Sequence, residues 1–335
     1  MKEKKRITLA EIAKKAGVSK STVSFILNGK AEALRISETT RKKVLAIVEE
    51  YNYRPSIHAR SLKSKRSYTI GLVIPDLTNL GFASIAKELE KHCREDGLQL
   101  LIACSEDDQS LEKKVVTHLV ERQVDALIVG SAMTNDQFYI KLTNQLPVIQ
   151  LDRQIGNSSL PLVCSDACNA TADVVTKLIS NTRQECYFFG GQLELSPSKQ
   201  RLDGYKLGLK RASLILRPGW IKHADYQPQS GYKMMDECIK ELGRPPYSLF
   251  TASYTILEGV LRYLRDHQLL DFDIRIATFD DYHILDCLPI DIDSVAQDCT
   301  SLAYTAYTIT KNLLDGKETS QTQFTIPAKI CWRSR

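Results

Sequence analysis

The chain has 335 residues, of which 43% are hydrophobic and 25% are charged, and its formal net charge is +5. This composition is typical of a globular protein, and the length is sufficient for two or three domains. No apolar run is long enough to span a bilayer, and the basic N-terminus is not followed by an apolar segment. We therefore expect neither a signal peptide nor a membrane anchor, and we expect the protein to stay in the cytoplasm.

The positive charge is concentrated at the N-terminus. Residues 1–67 contain 17 Lys and Arg against 6 Asp and Glu, whereas the remainder contains 28 against 34. A small basic segment on a mildly acidic body indicates a nucleic-acid partner at one end only, the alternative being a solvated basic surface. The nine cysteines are scattered without any C-x-x-C pair. We interpret them as small hydrophobic residues in a reducing compartment, and we expect no metal or other cofactor.

Two short helical patterns separated by a tight turn occupy residues 9–29. The first ends at Ala16, followed by Gly17, which suits the left-handed conformation that often ends a helix, and Ser19 is a favourable N-cap for the second. The second pattern, residues 20–27, would bury Val23, Ile26 and Leu27 and leave an outward face formed by Lys20, Ser21, Thr22 and Phe25. This arrangement is typical of a helix-turn-helix. An ordinary helical hairpin is the alternative, but the coincidence with the basic charge favours DNA binding.

A third helix is predicted over residues 37–51, with Ser37 as its N-cap and an apolar stripe of Val44, Leu45, Val48 and Tyr51. Residues 55–67 follow as a basic segment in which Pro55 favours the start of a helix of about two turns, too short to be stable alone. We interpret this segment as a linker that folds on a partner. Its basic residues suit phosphates, and Leu62 suits an apolar wedge in a DNA minor groove. A merely flexible linker is the alternative.

From residue 68 onward, short apolar runs alternate with helical stretches. This alternation predicts parallel sheets covered on both faces, and the number of strands favours two α/β lobes with a cleft between them. The predicted strands are residues 68–75, 98–104, 126–129, 148–151, 162–164, 186–189, 248–251, 274–279 and 294–296. Helices are predicted, among others, over residues 82–96, 111–123, 230–242 and 256–267.

Polar residues that follow the predicted strands are candidates for a ligand site, because ligands of open α/β sheets bind at the carboxyl ends of strands. They include Asp76, Ser105-Glu106-Asp107, Gly130-Ser131, Asp152-Arg153, Ser253-Tyr254 and Asp280-Asp281, with Arg201 near the start of a helix and Phe82 as a stacking surface. Carboxylates and arginines of this kind suit a small polyol. Each one taken singly is more often a loop cap or a surface ion pair, so the prediction depends on their convergence. Because the chain lacks a P-loop and the G-x-S-x-G and H-E-x-x-H motifs, and has no G-x-G-x-x-G after the first strand, we predict that it is not an enzyme.

Several stretches resemble the LacI/GalR family of sugar-responsive repressors, over essentially the whole chain. They are LAEIAKKAGVSKSTVSFILNG at the N-terminus, NYRPSIHARSLKSKRS after it, and IGLVIPDLTN, LPVIQLDR, RLDGY, ATFDD and SVAQD further along. LLIACSED, GGQLELSPSKQRLDG and LGRPPYSLFTAS are similar to the fructose/sucrose-repressor branch. The resemblance implies a small all-α helix-turn-helix head plus an α/β periplasmic-binding-protein-like body of two parallel-sheet lobes.

The resemblance also implies a division of the chain. We expect a DNA-binding domain at residues 1–54, a hinge helix at 55–67 and an effector-binding and dimerisation body at 68–335. The first lobe is expected at residues 68–165 plus 298–327 and the second at 166–297. No leucine heptads follow the body, so a homodimer is expected and a tetramer is not.

Residue roles are carried over from the family motifs. DNA contacts are expected at Thr8, Ser19, Lys20, Ser21, Thr22, Phe25, Asn28, Ser56, Ala59 and Leu62, with Lys20, Ser21 and Phe25 as base readers. Effector contacts are expected at Asp76, Phe82, Ser131, Asp152, Arg153, Arg201, Ser253 and Asp280. Ser253-Tyr254 stands where many relatives carry Asn-Asp, so the chain departs from the family pattern there.

The function implied by the resemblance is a repressor of a sucrose or fructose utilisation operon, released from operator DNA by fructose or a related sugar phosphate. The direction of this response comes from the resemblance alone. The alternative is a broader regulator of carbon metabolism that responds to fructose 1-phosphate, for which Lys199, Arg201 and Arg153 would supply positive charge. A sugar-binding or transport module is disfavoured by the basic head and the lack of a signal peptide.

Overall fold

The computed structural model describes residues 7–53, 66–180, 184–317 and 321–334. The chain forms two compact units, residues 1–67 and residues 68–335, which we call the head and the body. Within the described ranges, the structure contains no helix with the length and apolar character that a membrane crossing requires. The predicted hinge residues Ser56, Ala59 and Leu62 lie outside the described residues.

The head consists of three helices, α1 (Leu9–Ala16), α2 (Lys20–Leu27) and α3 (Glu38–Glu50). Gly17 ends α1 with a φ of 71°, the left-handed conformation predicted for it. The Oγ of Ser19 accepts a hydrogen bond from the backbone N–H of Thr22 at 3.0 Å, so the predicted cap of α2 is confirmed. These two local signals set the tight turn between α1 and α2.

The apolar core of the head is small, and it differs from the prediction on α3. Leu45 and Tyr51 were predicted to face the core, but they are 39% and 40% exposed. Val44 is buried and Ile47 and Val48 are half-buried against the core, because positions i, i+3 and i+4 share one side of a helix. Leu45 lies about 100° around the helix from Val44 and therefore faces outward.

The body contains two six-stranded sheets. The strands of the first are β1 (Thr69–Ile74), β2 (Gln99–Cys104), β3 (Ala126–Val129), β4 (Val148–Leu151), β5 (Leu162–Ser165) and β11 (Gln323–Ile326). Those of the second are β6 (Cys186–Gly190), β7 (Ile221–His223), β8 (Ser248–Thr251), β9 (Arg275–Phe279), β10 (Ile292–Ala296) and β12 (Lys329–Cys331). Their orders are β11-β5-β4-β3-β1-β2 and β12-β10-β9-β8-β6-β7, so corresponding strands take corresponding places. All neighbours are parallel except β10 and β12, which confirms the predicted two-lobed architecture.

Helices cover both sheets. They are α4 (Leu80–Glu95), α5 (Gln109–Glu121), α6 (Gln137–Leu142), α7 (Ala167–Ser180), α8 (Ser196–Arg211), α9 (Pro228–Leu242), α10 (Tyr254–Asp266) and α11 (Cys299–Leu314), with a short 3-10 helix at His283–Cys287. In the first lobe, α4 and α11 bury apolar residues against one face of the sheet, and α5 and α6 bury others against the opposite face. Burial on both faces explains why the central strands read as continuous apolar runs.

Glycine allows α9 and α10 to approach each other closely. An ideal Cβ at Gly259 would lie 1.8 Å from the carbonyl oxygen of Pro228, and one at Gly231 would lie 2.1 Å from that of Ile256. The two helices therefore contact each other backbone to backbone. This contact holds the N-terminus of α10 at the carboxyl edge of the second sheet.

The chain crosses between the lobes three times, after β5, after β10 and after β11. The strands β7, β11 and β12 were not predicted, because they contain only three, four and three residues and are half-exposed, without a continuous apolar run. Through β12, residues 329–331 join the second sheet, beyond the end that was predicted for the second lobe at residue 297.

Candidate functional site

A cavity of about 450 Å³ lies in the cleft between the two lobes of the body. Its walls come from the carboxyl ends of strands of both sheets, where ligands of open α/β folds bind. Its volume falls within the range of roughly 300–1,000 Å³ that is usual for small-molecule sites. The structure brings seven of the eight predicted effector residues to this cavity: Asp76, Phe82, Asp152, Arg153, Arg201, Ser253 and Asp280.

Ser131 is the exception, because it does not line the cavity. Its side chain is buried and its Oγ donates a hydrogen bond to the carboxylate of Glu112. The same carboxylate accepts hydrogen bonds from the backbone N–H of Ala132 at 2.8 Å and from the hydroxyl of Tyr139 at 2.5 Å. A buried carboxylate needs such donors. The prediction for Ser131 is therefore corrected: the residue follows β3 as expected, but its side chain stabilises Glu112.

Two carboxylates occupy equivalent places in the two lobes. Asp152 follows β4 and Asp280 follows β9, and each of these strands is third from the same edge of its sheet. Both residues have a left-handed backbone, with φ values of 64° and 76°, which is uncommon outside glycine and recurs at ligand sites. Burial raises the pKa of Asp152. The positive charges of Arg201 and Arg153 oppose this rise, and the negative charge of Asp280 adds to it.

Arg201 reaches the cavity from α8 and is only 6% exposed. Its Nη1 donates a hydrogen bond to the carbonyl oxygen of Ala252 at 2.6 Å, and its guanidinium carbon lies 3.8 Å from the centroid of the Phe279 ring. Its Nε is buried and has no hydrogen-bond partner among the described residues. A buried, charged donor without a protein partner is costly, so this N–H is a candidate donor to a ligand or a water molecule.

Arg153 is held by the first lobe. Its guanidinium forms an ion pair with the carboxylate of Asp107, which follows β2, and it lies 5.6 Å from the centroid of the Phe82 ring. Phe82 in turn packs on Gly130, where an ideal Cβ would lie 3.0 Å from the ring. Asp107 was predicted as a strand-end candidate, but it was not among the residues carried over from the family as effector contacts. It lies in the Ser-Glu-Asp segment that follows a predicted strand, so the strand-end rule already pointed to it.

Gln297 connects the two lobes at the cavity. Its Nε2 donates to Oδ1 of Asp280 at 2.8 Å, and its Oε1 accepts a hydrogen bond from the Oγ of Ser165 at 3.0 Å. Ser165 ends β5 in the first sheet, whereas Asp280 follows β9 in the second. Gln297 directly follows a predicted strand, so the strand-end rule would have found it if amides had been considered beside charged residues and serines.

Ser253 lies at the cavity wall, but its hydroxyl serves the helix that follows. The Oγ accepts a hydrogen bond from the backbone N–H of Ile256 at 3.3 Å and lies 2.9 Å from the Oγ1 of Thr255. Ser253 is therefore the N-cap of α10. Its first role is to position the cavity end of this helix.

In the head, α2 presents the side chains that were predicted to face DNA. Lys20, Ser21 and Phe25 are exposed, and Phe25 is 36% exposed although it is aromatic. Thr22 is half-buried. In helix-turn-helix proteins the second helix is the one that lies in the major groove, so these exposed side chains remain the candidates for base contacts.

Three other predicted DNA contacts are helix caps. Thr8 forms a capping box with Glu11 at the start of α1, which was not predicted, and Ser19 caps α2. Asn28 ends α2, where its Nδ2 donates to the carbonyl oxygen of Ser24 at 2.8 Å. Thr8 and Ser19 lie at helix N-termini, where backbone N–H groups and the helix dipole favour a phosphate.

Comparison with known proteins identifies the class that this fold defines, a DNA-binding head joined to a sugar-binding domain. The family of bacterial regulatory proteins called the lacI family matches residues 8–56. The periplasmic binding proteins and sugar binding domain of the LacI family match residues 67–254, and a periplasmic binding protein-like domain matches residues 175–334.

Individual relatives agree with this class. The sucrose operon repressor of Klebsiella pneumoniae is 47% identical over 326 residues, which cover 97% of this chain and 98% of that protein. The fructose operon regulatory protein of Vibrio cholerae is 37% identical over 308 residues, covering 91% and 94%. The structure of the Cra transcriptional dual regulator from Pseudomonas putida with fructose 1-phosphate superposes with a TM-score of 0.75 at 29% identity, covering 80% of this chain and 99% of that chain. The chain therefore belongs to the LacI family of bacterial transcriptional regulators, and it is not an enzyme.

Proposed function

We propose that this protein is a homodimeric repressor of an operon for sucrose or fructose utilisation, released from its operator by a fructose-type sugar. The observation that carries the proposal is a sugar-sized cavity containing Asp152, Arg201 and Asp280 in a chain whose head exposes a recognition helix. The extensive similarity to the Klebsiella sucrose operon repressor supports the choice of operon. Because operator DNA is the proposed partner, the proposed site of action is the cytoplasm.

The head is proposed to read the operator through α2. Lys20, Ser21 and Phe25 would contact base edges in the major groove, and two heads of a dimer would occupy two half-sites of a pseudopalindromic operator. Residues 55–67 are proposed to fold as hinge helices on the DNA, with Leu62 as the minor-groove wedge. This hinge proposal rests on the sequence of the segment and its family resemblance.

The cavity is proposed to receive the sugar through complementary polar groups. The carboxylates of Asp152 and Asp280 would accept hydrogen bonds from sugar hydroxyls, and Arg201 would donate to sugar oxygens. Because Gln297 bonds both Asp280 and Ser165, a ligand that engages Asp280 acts on a contact between the lobes. A coupling of about 1–3 kcal/mol between such a site and the DNA-binding form changes operator affinity by about 5- to 150-fold.

The proposal is tested with the full chain and a labelled DNA fragment from the promoter of the operon, by fluorescence anisotropy. We expect binding that weakens when D-fructose or sucrose is added and that does not change with D-glucose added as a control. A Phe25→Ala variant should lose operator affinity and keep its sugar affinity. Operator binding that is indifferent to every sugar of the panel would contradict the proposed effector response.

A second candidate is a broader regulator of carbon metabolism that responds to fructose 1-phosphate. It is favoured by the structural similarity to the Pseudomonas putida regulator, which was solved with that ligand. Chromatin immunoprecipitation separates the two candidates, because an operon repressor occupies one or a few promoters and a broad regulator occupies many.

A further inference from the structure

Residues 333 and 334, which lie just beyond β12, are bound to the second sheet through a buried carboxylate. The backbone N–H groups of Arg333 and Ser334 both donate to Oδ1 of Asp293, at 2.7 and 2.9 Å. The Oγ of Ser334 donates to Oδ2 of the same carboxylate at 2.5 Å. Asp293 lies on β10 and is 2% exposed, so its charge requires such donors. The segment therefore has a fixed place beside β10.

The side chain of Arg333 extends from this segment to the loop that follows β9. Its Nη2 donates to Oδ1 of Asp281 at 2.8 Å, and its Nε donates to Oδ1 of Asp286 at 2.7 Å. Its Nη1 donates to the Oγ of Ser294 at 2.7 Å, and this hydroxyl donates to Asp281 at 2.6 Å. Burial opposes the ionisation of Asp281, but the hydrogen bonds from Ser294 and Arg333 outweigh burial and lower the pKa of this carboxyl. Arg333 therefore holds the loop at residues 281 and 286.

The residue before Asp281 is the cavity carboxylate Asp280. The backbone N–H of Asp280 donates to the carbonyl oxygen of Val295 at 2.9 Å, and its φ is 76°. A left-handed backbone at a residue other than glycine persists only where the surrounding structure holds it. The carboxylate of Asp280 faces the cavity, whereas that of Asp281 faces Arg333. Because the two residues share a rigid peptide unit, fixing Asp281 restricts the orientation of Asp280.

The residue after Asp281 contacts a helix of its own lobe and lies beside the other lobe. The ring of Tyr282 packs edge-on against that of Tyr254 at the start of α10, with the centroids 4.9 Å apart. An ideal Cβ at Gly81 would lie 3.7 Å from the hydroxyl oxygen of Tyr282, so this ring lies beside the start of α4 in the first lobe. A displacement of the loop would therefore change both the cavity wall and a contact between the lobes.

We propose that Arg333 is a positioning residue of the effector site, which acts through Asp281 and Asp286 to hold Asp280 in its ligand-binding orientation. The proposal rests on the proposed function, because it requires that Asp280 accepts hydrogen bonds from the sugar. Arg333 does not line the cavity and would not contact the sugar itself. Its planar guanidinium presents donors in fixed directions, which allows it to bond two carboxylates and a hydroxyl at the same time.

Calorimetric titration of the full chain with D-fructose and sucrose tests the proposal. Arg333→Ala should bind the sugar about tenfold more weakly, as expected when one hydrogen bond to a charged group is impaired, and should keep its operator affinity in the absence of sugar. Arg333→Lys keeps the charge without the planar fork, so an intermediate sugar affinity is expected. Lys329→Ala removes the same charge from an exposed position on β12 and should behave as wild type.

The outcomes separate this proposal from the proposed function. An Arg333→Ala protein with wild-type sugar affinity, or with a loss equal to that of Lys329→Ala, would overturn the positioning role alone. Absence of sugar binding in the wild type would overturn the proposed effector response as well. Urea unfolding verifies that the variants fold. If Arg333→Ala does not fold, Arg333→Lys decides the question, and wild-type sugar affinity in that variant would overturn the proposal.

Trp332 supplies a readout that a role in stability alone would not change. It adjoins Arg333 and is 42% exposed, whereas the second tryptophan of the chain, Trp220, is 6% exposed. Coupling between two sites is reciprocal, so a sugar that engages Asp280 should hold residues 332–334 more tightly. D-Fructose should therefore reduce the quenching of tryptophan fluorescence by acrylamide in the wild type and not in Arg333→Ala. A Trp332→Phe variant identifies the signal, and quenching that D-fructose leaves unchanged in the wild type would overturn the proposal.

Discussion

Replacement of Arg201 by alanine removes the guanidinium at the cavity wall that has no carboxylate partner within 4 Å in the described structure. The variant loses the 2.6 Å hydrogen bond to the carbonyl oxygen of Ala252 and the contact with the Phe279 ring. The substitution also removes one of the two positive charges that oppose the rise in the pKa of Asp152. The expected result is a folded protein that binds operator DNA and no longer responds to the sugar.

The magnitude follows from the hydrogen bonds at stake. A hydrogen bond from a charged donor contributes about 1.5–3 kcal/mol, so loss of one such bond to the sugar weakens binding about 10- to 150-fold. Stability should change less, within about 2 kcal/mol. The lost bond to Ala252 is partly offset because the buried, unpaired Nε of Arg201 is also removed. Arg201→Lys keeps the charge without the planar fork, and an intermediate affinity is expected.

Calorimetry with D-fructose and sucrose measures the binding, and urea unfolding verifies that the variant is folded. Lys206→Ala is the matched control, because Lys206 lies on the same helix, α8, with its side chain 47% exposed, and it should behave as wild type. An Arg201→Ala protein with wild-type unfolding and wild-type sugar affinity would show that Arg201 is not an effector ligand.

Three further predictions address the cavity, the head and the core. Asp152→Asn should lose sugar affinity about tenfold or more. Burial raises the pKa of Asp152 in the folded protein above its ordinary 3.8, so the wild-type protein loses stability as the pH rises and this carboxyl group ionises. Asparagine does not ionise, so the variant should be at least as stable as the wild type at pH 7. Thermal unfolding at pH 4, 5 and 7 measures this difference. Phe25→Ala should weaken operator binding about tenfold, as measured by fluorescence anisotropy. Leu45→Ala, which changes an exposed residue on α3, is the control and should bind the operator like the wild type. Equal losses of operator affinity in the two variants would contradict the assignment of Phe25 to the DNA-binding surface. Gly259→Ala should lower the free energy of unfolding in urea by about 1–3 kcal/mol, because the alanine Cβ would clash with the carbonyl oxygen of Pro228. This loss is expected although alanine has a higher helix propensity than glycine. Unchanged stability would mean that α9 and α10 separate easily.

Secondary structure was predictable wherever one local signal was strong. The bounds predicted for β3, β4 and β8 agree with the structure, in which every residue of these three strands is buried. β3 is a continuous apolar run, whereas Gln150 interrupts β4 and Ser248 and Thr251 begin and end β8. The bounds of α2 also agree, since Ser19 caps its start. Edge strands such as β12 were not predicted. A short, half-exposed strand forms because a neighbouring strand pairs with it, and its few residues show no recognisable hydrophobic pattern in the sequence.

The candidate site was predictable to the extent that position along a strand decides which residues meet. The carboxyl ends of parallel strands converge, so residues as distant in sequence as Asp76 and Asp280 were predicted at one cavity, and both line it. The direction of each side chain was not predictable. Ser131 turns toward buried Glu112, and Gln297 turns toward Asp280, because each satisfies a carboxylate that only the packing of helices and sheets brings near.

The sequence by itself determined the helix-turn-helix, the basic head, the alternation of strands and helices, and the polar residues at strand ends. These properties depend on local spacing and on the number of charges, which folding does not change. Only the tertiary structure decided which charges neutralise one another. Arg153 pairs with Asp107 across 46 residues, Lys199 lies outside the cavity, and Arg201 is left among carboxylates. Electrostatic interaction depends on distance and burial, so the charge that a ligand meets is a property of the folded chain.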